Sequence, residues 1–172
     1  DLQIVSLSKE FPIGKKEHGP DFLLNYRHLW LRSKRQWAIL RIRNQIINSI
    51  NNFLQKEGYI KIDSPIITPS ACEGTTTLFE IDYFGRKAYL TQSGQLYIES
   101  AIYSFGKVYD FGPVLRAEKS KTRRHLVEFW MMDAEAAFLH LEDILDLEEK
   151  LIFTVLQAIL RSCEYELKIL KR

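Results

Sequence analysis

Residues 114–133 read VLRAEKSKTRRHLVEFWMMD, and this stretch decides the fold of the chain. Apolar residues flank a basic, polar centre on both sides, which predicts two β-strands joined by a long hairpin loop. We expect the two strands to cover residues 107–118 and 125–138. The centre of the fold would therefore be an antiparallel pair of strands.

The side chains of this hairpin suit a bound nucleotide. A guanidinium such as that of Arg116 can grip a phosphate through two parallel hydrogen bonds. Glu118 lies two residues further on and therefore on the same side of the strand. Phe129 offers a flat aromatic face to a purine ring, and alternation places it on the same face as Met131. The pattern indicates an ATP site on the hairpin.

A second region, upstream of the hairpin, predicts a long helix that ends at a glycine. Ser33-x-x-Gln36 fits a capping box, the side-chain arrangement that begins many helices. Apolar residues then recur at helical spacing. Gly58 suits the position just after the helix, and a short strand and Pro65 follow it.

The remaining elements predict an α+β fold. Strands in hairpins, separated by helices, favour an antiparallel β-sheet flanked by helices over a doubly wound parallel sheet. We expect strands at 78–84 and 87–91 around a turn at Gly85-Arg86, a helix at 94–105 before Gly106, and a long amphipathic helix from Leu141 to about Glu166.

Composition and charge limit the type of protein. The 172 residues supply material for one domain, and a net charge of +2 does not by itself predict nucleic-acid binding. Cys72 and Cys163 lie far apart and match no metal-binding spacing, which favours a reduced, cytoplasmic protein. No apolar run approaches the roughly 20 residues of a membrane span, and the first residues lack the regions of a signal peptide. We therefore expect no membrane segment. The chain does not begin with Met, which indicates a fragment.

In its two motif regions the chain resembles the class II aminoacyl-tRNA synthetases, and the wording RAEKSKTRRHLxEFW is similar to their aspartyl/asparaginyl branch. The upstream helix, strand and proline resemble motif 1, which forms the dimer interface in the family, here with Gly58 and Pro65. The hairpin resembles motif 2. The resemblance implies an asparagine–tRNA ligase, a cytoplasmic homodimer that activates asparagine with ATP and transfers it to tRNA(Asn).

The resemblance also predicts the domain organisation. Residues 1–32 resemble the connector from an anticodon-binding domain, which leaves 33–172 as the N-terminal part of the catalytic domain. Motif 3 and the anticodon-binding domain are missing from this sequence. Because motif 3 supplies acidic metal contacts in the family, Mg²⁺ is expected as a cofactor with ligands outside this sequence. The fragment alone is expected to be inactive.

Each site residue takes its role from the resemblance. Arg116 would bridge the α-phosphate of ATP and the carboxylate of the amino acid. Glu118 would contact the adenine amino group or the acceptor end of the tRNA, and both residues would be catalytic. His125 would lie near the outer phosphates, and Phe129 would stack on adenine. The basic loop tip would bind phosphates or RNA, through Arg124 for ATP and through Lys119, Lys121 and Arg123 for tRNA.

Residues 91–99, TQSGQLYIE, should select the amino acid. In aspartyl enzymes the equivalent segment carries a lysine that pairs with the side chain of aspartate, and that position is Ile98 here. Glu99 accepts hydrogen bonds from an amide group but repels a carboxylate, which favours asparagine over aspartate. Gln95 would hold the α-amino group, together with Glu73 from a loop that closes over the substrate.

Simpler structural interpretations stay open for these residues. Arg116 fits a surface ion pair, Phe129 fits an ordinary core position, and Glu99 fits a solvent-facing helix position. Three other functions also stay open. They are an aspartyl-tRNA synthetase, a tRNA-independent paralogue that makes asparagine from aspartate, and a non-catalytic synthetase-like module that binds RNA or regulates a partner.

Overall fold

A computed structural model describes residues 2–7, 9–70, 78–119, 122 and 125–172 of the chain. The chain divides into two compact units, Asp1–Ser49 with Phe153–Arg172, and Ile50–Ile152. The first unit is helical, and the second holds all of the described β-strands. The division into a connector at 1–32 and a catalytic part at 33–172 stays a prediction.

The described residues form six helices and six strands. The helices are α1 Pro20–Asn25, α2 Arg27–Trp30, α3 Lys34–Lys56, α4 Gln95–Phe105, α5 Leu141–Ser162 and α6 Glu164–Ile169. The strands are β1 Ile60–Lys61, β2 Ile67–Thr68, β3 Glu80–Tyr83, β4 Arg86–Leu90, β5 Lys107–Leu115 and β6 Glu128–Ala136.

Half of the predicted capping box forms at the start of α3. The backbone N–H of Gln36 donates to the Ser33 hydroxyl at 3.3 Å, as the motif requires. The side chain of Gln36 does not return to Ser33. Its Oε1 accepts a hydrogen bond from Arg27 at 3.0 Å, while the Ser33 N–H donates to the Trp30 carbonyl. Gln36 therefore links the start of α3 to α2.

The end of α3 confirms Gly58 as the helix stop. Gly58 has φ +87°, its N–H donates to the Gln55 carbonyl, and the Tyr59 N–H donates to the Leu54 carbonyl. This pair of bonds is the Schellman motif, which satisfies the last helical carbonyls. Tyr59 and Leu54, which this turn brings together, are both buried, and β1 begins directly after Tyr59.

An ion pair closes the helical unit. Arg41 on α3 donates to the carboxylate of Glu166 on α6, whose side chain is almost fully buried. This hydrogen bond holds the pKa of Glu166 below its usual value. The long C-terminal helix that the sequence predicts up to Glu166 is interrupted at Cys163, whose φ of −124° and ψ of 27° lie outside the helical region.

Two three-stranded sheets build the second unit, with strand orders β1-β5-β6 and β2-β4-β3. The β5–β6, β3–β4 and β2–β4 pairs are antiparallel, which confirms the predicted α+β class. The β1–β5 pair is parallel, and the sequence did not predict it. Each strand follows a helix that ends at a glycine with positive φ, Gly58 before β1 and Gly106 before β5. The long connection between the two strands includes α4, and parallel strands require such a crossover.

The predicted short hairpin forms with its turn one residue earlier than expected. Tyr83 pairs with Arg86, so the two turn residues are Phe84 and Gly85, with φ of 52° and 80°. Two consecutive positive φ values are typical of a type I′ turn. The Asp82 carboxylate supports the turn by accepting a hydrogen bond from the Gly85 N–H at 2.8 Å.

In the main hairpin, both strands stop short of the predicted bounds next to the loop, so the loop is longer than expected. Leu115 pairs with Glu128, and one further bond joins the Arg116 N–H to the Val127 carbonyl at 2.9 Å. Arg116 thus lies where the ladder ends, while Glu118 and His125 lie in the loop beyond it.

The two faces of the β5–β6 pair have different environments. On one face the buried Tyr109 hydroxyl donates to Asn51 at 2.9 Å and accepts from Gln55 at 3.3 Å, both on α3. Directly opposed residues of an antiparallel pair share a face. Asp110 and Asp133, and likewise Val114 and Phe129, are opposed on the other face. The candidate site is built on that second face.

Candidate active site

Arg116 and Phe129 lie together at the open end of the hairpin. The Arg116 guanidinium carbon is 5.5 Å from the centroid of the Phe129 ring, within the range of a cation–π contact. A guanidinium nitrogen also approaches the Met131 sulfur at 3.9 Å. The three side chains therefore lie on one face. Alternation predicted this for Phe129 and Met131, and the pairing of β5 with β6 adds Arg116. The face presents a cation beside an aromatic ring, which suits a nucleotide with its phosphates.

Glu118 and His125 meet across the loop. The Glu118 Oε2 lies 3.1 Å from the His125 Nε2, and both side chains are partly exposed. The contact lacks hydrogen-bond alignment, and within the described part of the chain the buried Nε2 has no hydrogen-bond partner. Among the described residues, Glu118 therefore has the His125 imidazole as its charged neighbour.

Several predicted site residues lie outside the described part of the chain. They are Glu73, Lys121, Arg123 and Arg124, and Cys72 lies outside it as well. Lys119 is described and is exposed.

The segment predicted to select the amino acid forms the start of α4. Ile98, at the position of the aspartyl lysine, is fully buried in the core. Gln95 donates from its amide nitrogen to the Glu99 carboxylate at 2.7 Å, and Glu99 is exposed. The two predicted amino-acid contacts thus act as one pair, one helical turn apart.

Asp133 is a site residue to which the sequence analysis assigned no role. Its Oδ2 accepts hydrogen bonds from the Ser93 hydroxyl at 2.8 Å and from the Gly94 N–H at 3.3 Å. Asp133 follows Phe129 and Met131 in the same alternation, and that signal could have placed it on the site face. Its partners, 39 and 40 residues away, could not be read from local pattern.

A cavity of about 240 Å³ lies beside these residues in the second unit. Its polar lining includes Gln95, Asp133, Glu135 and Glu148, and its apolar lining includes Leu54 and Tyr59. Burial, with the nearby charges of Glu99 and Asp133, raises the pKa of Glu135 above its usual value. The carboxylates of Asp133, Glu135 and Glu148 favour a cationic ligand group such as an ammonium and disfavour an anionic one.

Among the described residues, no group of three or more His, Cys, Asp or Glu side chains is arranged to hold a metal ion. None of the described helices combines the length and apolar character that crossing a membrane requires.

The segment predicted to lie at a dimer interface is apolar and exposed. Pro65, Ile66 and Ile67 are all exposed, as is Ile60 on β1. Gly58 has the local role of helix stop described above. These observations suit an interface, and the dimer itself stays a prediction.

The chain is similar to proteins of one family. A family model described as tRNA synthetases class II (D, K and N) matches residues 19–171. An asparagine–tRNA ligase from Desulforamulus reducens is 54% identical over 99% of this chain, and one from Lactobacillus delbrueckii subsp. bulgaricus is 55% identical over all of it. The chain spans about two fifths of the length of these relatives, 40% in both.

Solved structures agree with these relatives. The asparaginyl-tRNA synthetase from Pyrococcus horikoshii, complexed with asparaginyl-adenylate, matches 97% of this chain with a TM-score of 0.92 and 40% identity, over 39% of its own length. A putative aspartyl-tRNA synthetase from Leishmania major matches 94% of this chain with a TM-score of 0.81 and 31% identity, over 31% of its own length. By both measures the asparaginyl structure is the more similar of the two.

Proposed function

The chain belongs to the class II tRNA synthetases of the D, K and N group, and from this membership we propose that it is part of an asparagine–tRNA ligase. The observation that carries the proposal is the placement of Arg116 beside Phe129 at the end of the hairpin, on the face that also holds Asp133. The full protein would activate asparagine with ATP and transfer it to tRNA(Asn).

In the first step the carboxylate of asparagine attacks the α-phosphate of ATP, and pyrophosphate leaves. Such a reaction depends mainly on positioning and on neutralising the charge that develops on phosphorus oxygens. The positive charge of Arg116 would neutralise it, and the N–H donors of its guanidinium can bind a phosphate and the substrate carboxylate. Adenine would take a place against the Phe129 ring.

The loop pair would bind the outer parts of the nucleotide. His125 has a buried Nε2 without a hydrogen-bond partner among the described residues, and that atom suits an outer phosphate. Glu118 would contact the adenine amino group or the acceptor end of the tRNA. Because the two side chains touch in this structure, we expect ATP to separate them.

Selection of asparagine rests on the charge of the amino-acid pocket. Ile98 is buried and aliphatic, so this position offers no cation to an aspartate side chain. Glu99, paired with Gln95, and the nearby Asp133 and Glu135 make the region negative. A neutral amide and an ammonium group are tolerated there, whereas a second carboxylate is repelled. Gln95 and Glu73 would hold the ammonium group.

The remaining parts of the proposal concern partners. Lys119, Lys121 and Arg123 would bind the acceptor stem of tRNA(Asn), and Arg124 would bind ATP phosphate. The protein would be a cytoplasmic homodimer, with Gly58 and Pro65 at its interface. Mg²⁺ would act with ATP through ligands outside this chain, and no step described here depends on it.

The test is amino-acid-dependent ATP–pyrophosphate exchange by the full-length protein that contains this chain. We expect exchange with asparagine and not with aspartate, and a loss of about 100-fold or more in Arg116→Ala. Arg86→Ala, on the exposed β3–β4 hairpin, is the matched control and should keep full exchange. Exchange with aspartate would point to an aspartyl or asparagine-forming enzyme. No exchange by a folded protein would point to a non-catalytic module.

A further inference from the structure

The segment before α4 is bonded to both strands of the main hairpin. The Thr91 carbonyl accepts a hydrogen bond from the Leu115 N–H on β5 at 2.8 Å. Two residues later, Ser93 and Gly94 donate to the Asp133 carboxylate on β6. Leu115 precedes Arg116, so the segment that carries Gln95 is fixed beside the residue proposed to bind the α-phosphate.

Ser93 relays this attachment into the helix. Its hydroxyl donates to Asp133 and accepts from the Gln95 N–H at 3.0 Å. The Thr91 hydroxyl donates to the Ser93 carbonyl at 2.7 Å and accepts from its N–H at 3.3 Å. Thr91, Ser93 and Gly94 are all buried, so these bonds lie away from bulk water. The Asp133 carboxylate is therefore one of the attachments that orient the first turn of α4.

A second carboxylate limits how α4 can move. Asp110 lies opposite Asp133 in the ladder, and a Cβ at position 94 would come within 2.1 Å of its Oδ2. The backbone at Gly94 therefore lies directly against Asp110. Negative charge at the start of a helix is stabilised by the exposed N–H groups there. Asp133 therefore bonds the start of α4, while Asp110 on the adjacent strand lies in close contact with it.

We propose that Asp133 is a positioning residue, which acts through Ser93 and Gly94 to set Gln95 and Glu99 in place relative to Arg116. This rests on the proposed function, in which Gln95 and Glu99 contact the amino acid. The alternative is a carboxylate that binds the substrate directly. The two roles differ in one respect, because only the positioning role requires the Ser93 hydroxyl.

The test compares Asp133→Asn, Ser93→Ala and the double variant in the full-length protein, with ATP–pyrophosphate exchange measured against asparagine and ATP. Ser93→Ala removes a hydrogen bond to a charged group, which corresponds to about a 10-fold to 100-fold effect, whereas Asp133→Asn keeps an oxygen acceptor but loses its charge and so weakens the same bonds. We expect Ser93→Ala to raise KM for asparagine by that factor and Asp133→Asn to raise it by about 10-fold, with KM for ATP changed less than about twofold in both. The double variant should be no worse than the worse single variant, since both break one relay.

A control and a second readout separate this role from a general structural one. Ser100→Ala removes an exposed hydroxyl of the same helix and should leave both KM values unchanged. Amide hydrogen exchange should quicken at Gly94 in Asp133→Asn and at Gln95 in Ser93→Ala. If Asp133→Asn does not fold, Ser93→Ala alone carries the test.

Three results would overturn the proposal. They are a normal KM in Ser93→Ala beside a large defect in Asp133→Asn, additive effects in the double variant, and quicker amide exchange without a change in KM. Failure of the function itself is recognised separately, because the unmodified protein would then show no exchange with asparagine.

Discussion

At the scale of single residues, the site is a set of charges held close together by backbone pairing. Val114 opposite Phe129 and Asp110 opposite Asp133 place the aromatic ring and the carboxylates on one face. Sequence alternation predicted that Phe129 shares a face with Met131, because that pattern is local to one strand, whereas the position of Arg116 beside Phe129 depends on the register of the ladder. The partners of Asp133 were not predictable, since the ladder register and the position of α4 decide them.

Glu135 gives a test of the acidic pocket by pH. Burial, Glu99 and Asp133 raise its pKa in the folded protein, so folding favours the protonated form. Stability from this group is therefore full below the ordinary carboxyl pKa and is lost as pH rises through the raised value. Glu135→Gln should unfold at a higher temperature than the unmodified protein near pH 7, and the gain should vanish at about pH 4.

Thermal unfolding between pH 4 and 8 measures this difference. Glu128→Gln, an exposed position on the same strand, is the control and should shift the curve little at any pH. A gain in Glu135→Gln that is constant over the whole range would contradict the charge argument and would indicate better packing of the amide.

At the scale of elements, the sequence predicted those features that depend on residues close together in the chain. The start and end of α3, the β3–β4 hairpin and the stop of α4 at Gly106 follow from capping and turn residues. The parallel β1–β5 pair and the break at Cys163 were missed. The pairing depends on where two distant helices end, which no short window of sequence contains.

Gly58 allows the element-scale argument to be tested. Its φ of +87° is costly for a residue with a Cβ, while the space around it is open. Gly58→Ala should therefore lower the free energy of unfolding by about 1–2 kcal/mol through backbone strain alone. Gly14→Ala, also in open space but without positive φ, should be close to neutral. Chemical denaturation measures both, and equal effects would contradict the assignment to backbone strain.

At the scale of the whole molecule, the chain presents a large apolar surface on α5. Leu141, Leu145, Ile152, Leu156 and Leu160 are all exposed and recur at helical spacing. An exposed apolar stripe of this kind is unusual on a monomeric protein. The chain spans about two fifths of its curated relatives, so most of their length has no counterpart in it.

From this we expect the 172-residue chain alone to show no asparagine-dependent exchange, whereas the full-length protein does. The reason is that the relatives contain a further three fifths of polypeptide, which would supply the rest of the ATP site. The measurement is exchange by both proteins at equal concentration, with circular dichroism to show that the shorter one retains helix. Turnover by the 172-residue chain would refute this expectation.

The close approach of Gly94 to Asp110 has an evolutionary consequence. An added Cβ at position 94 would come within 2.1 Å of the Asp110 Oδ2 and 2.7 Å of the Ser64 Oγ, so two different residues leave room there only for glycine. Among related sequences position 94 should therefore stay glycine even where position 110 varies. A replacement at 110 alone would leave the hydroxyl of Ser64 in the way, so evolution at this point of the fold has no single-step route to a larger residue.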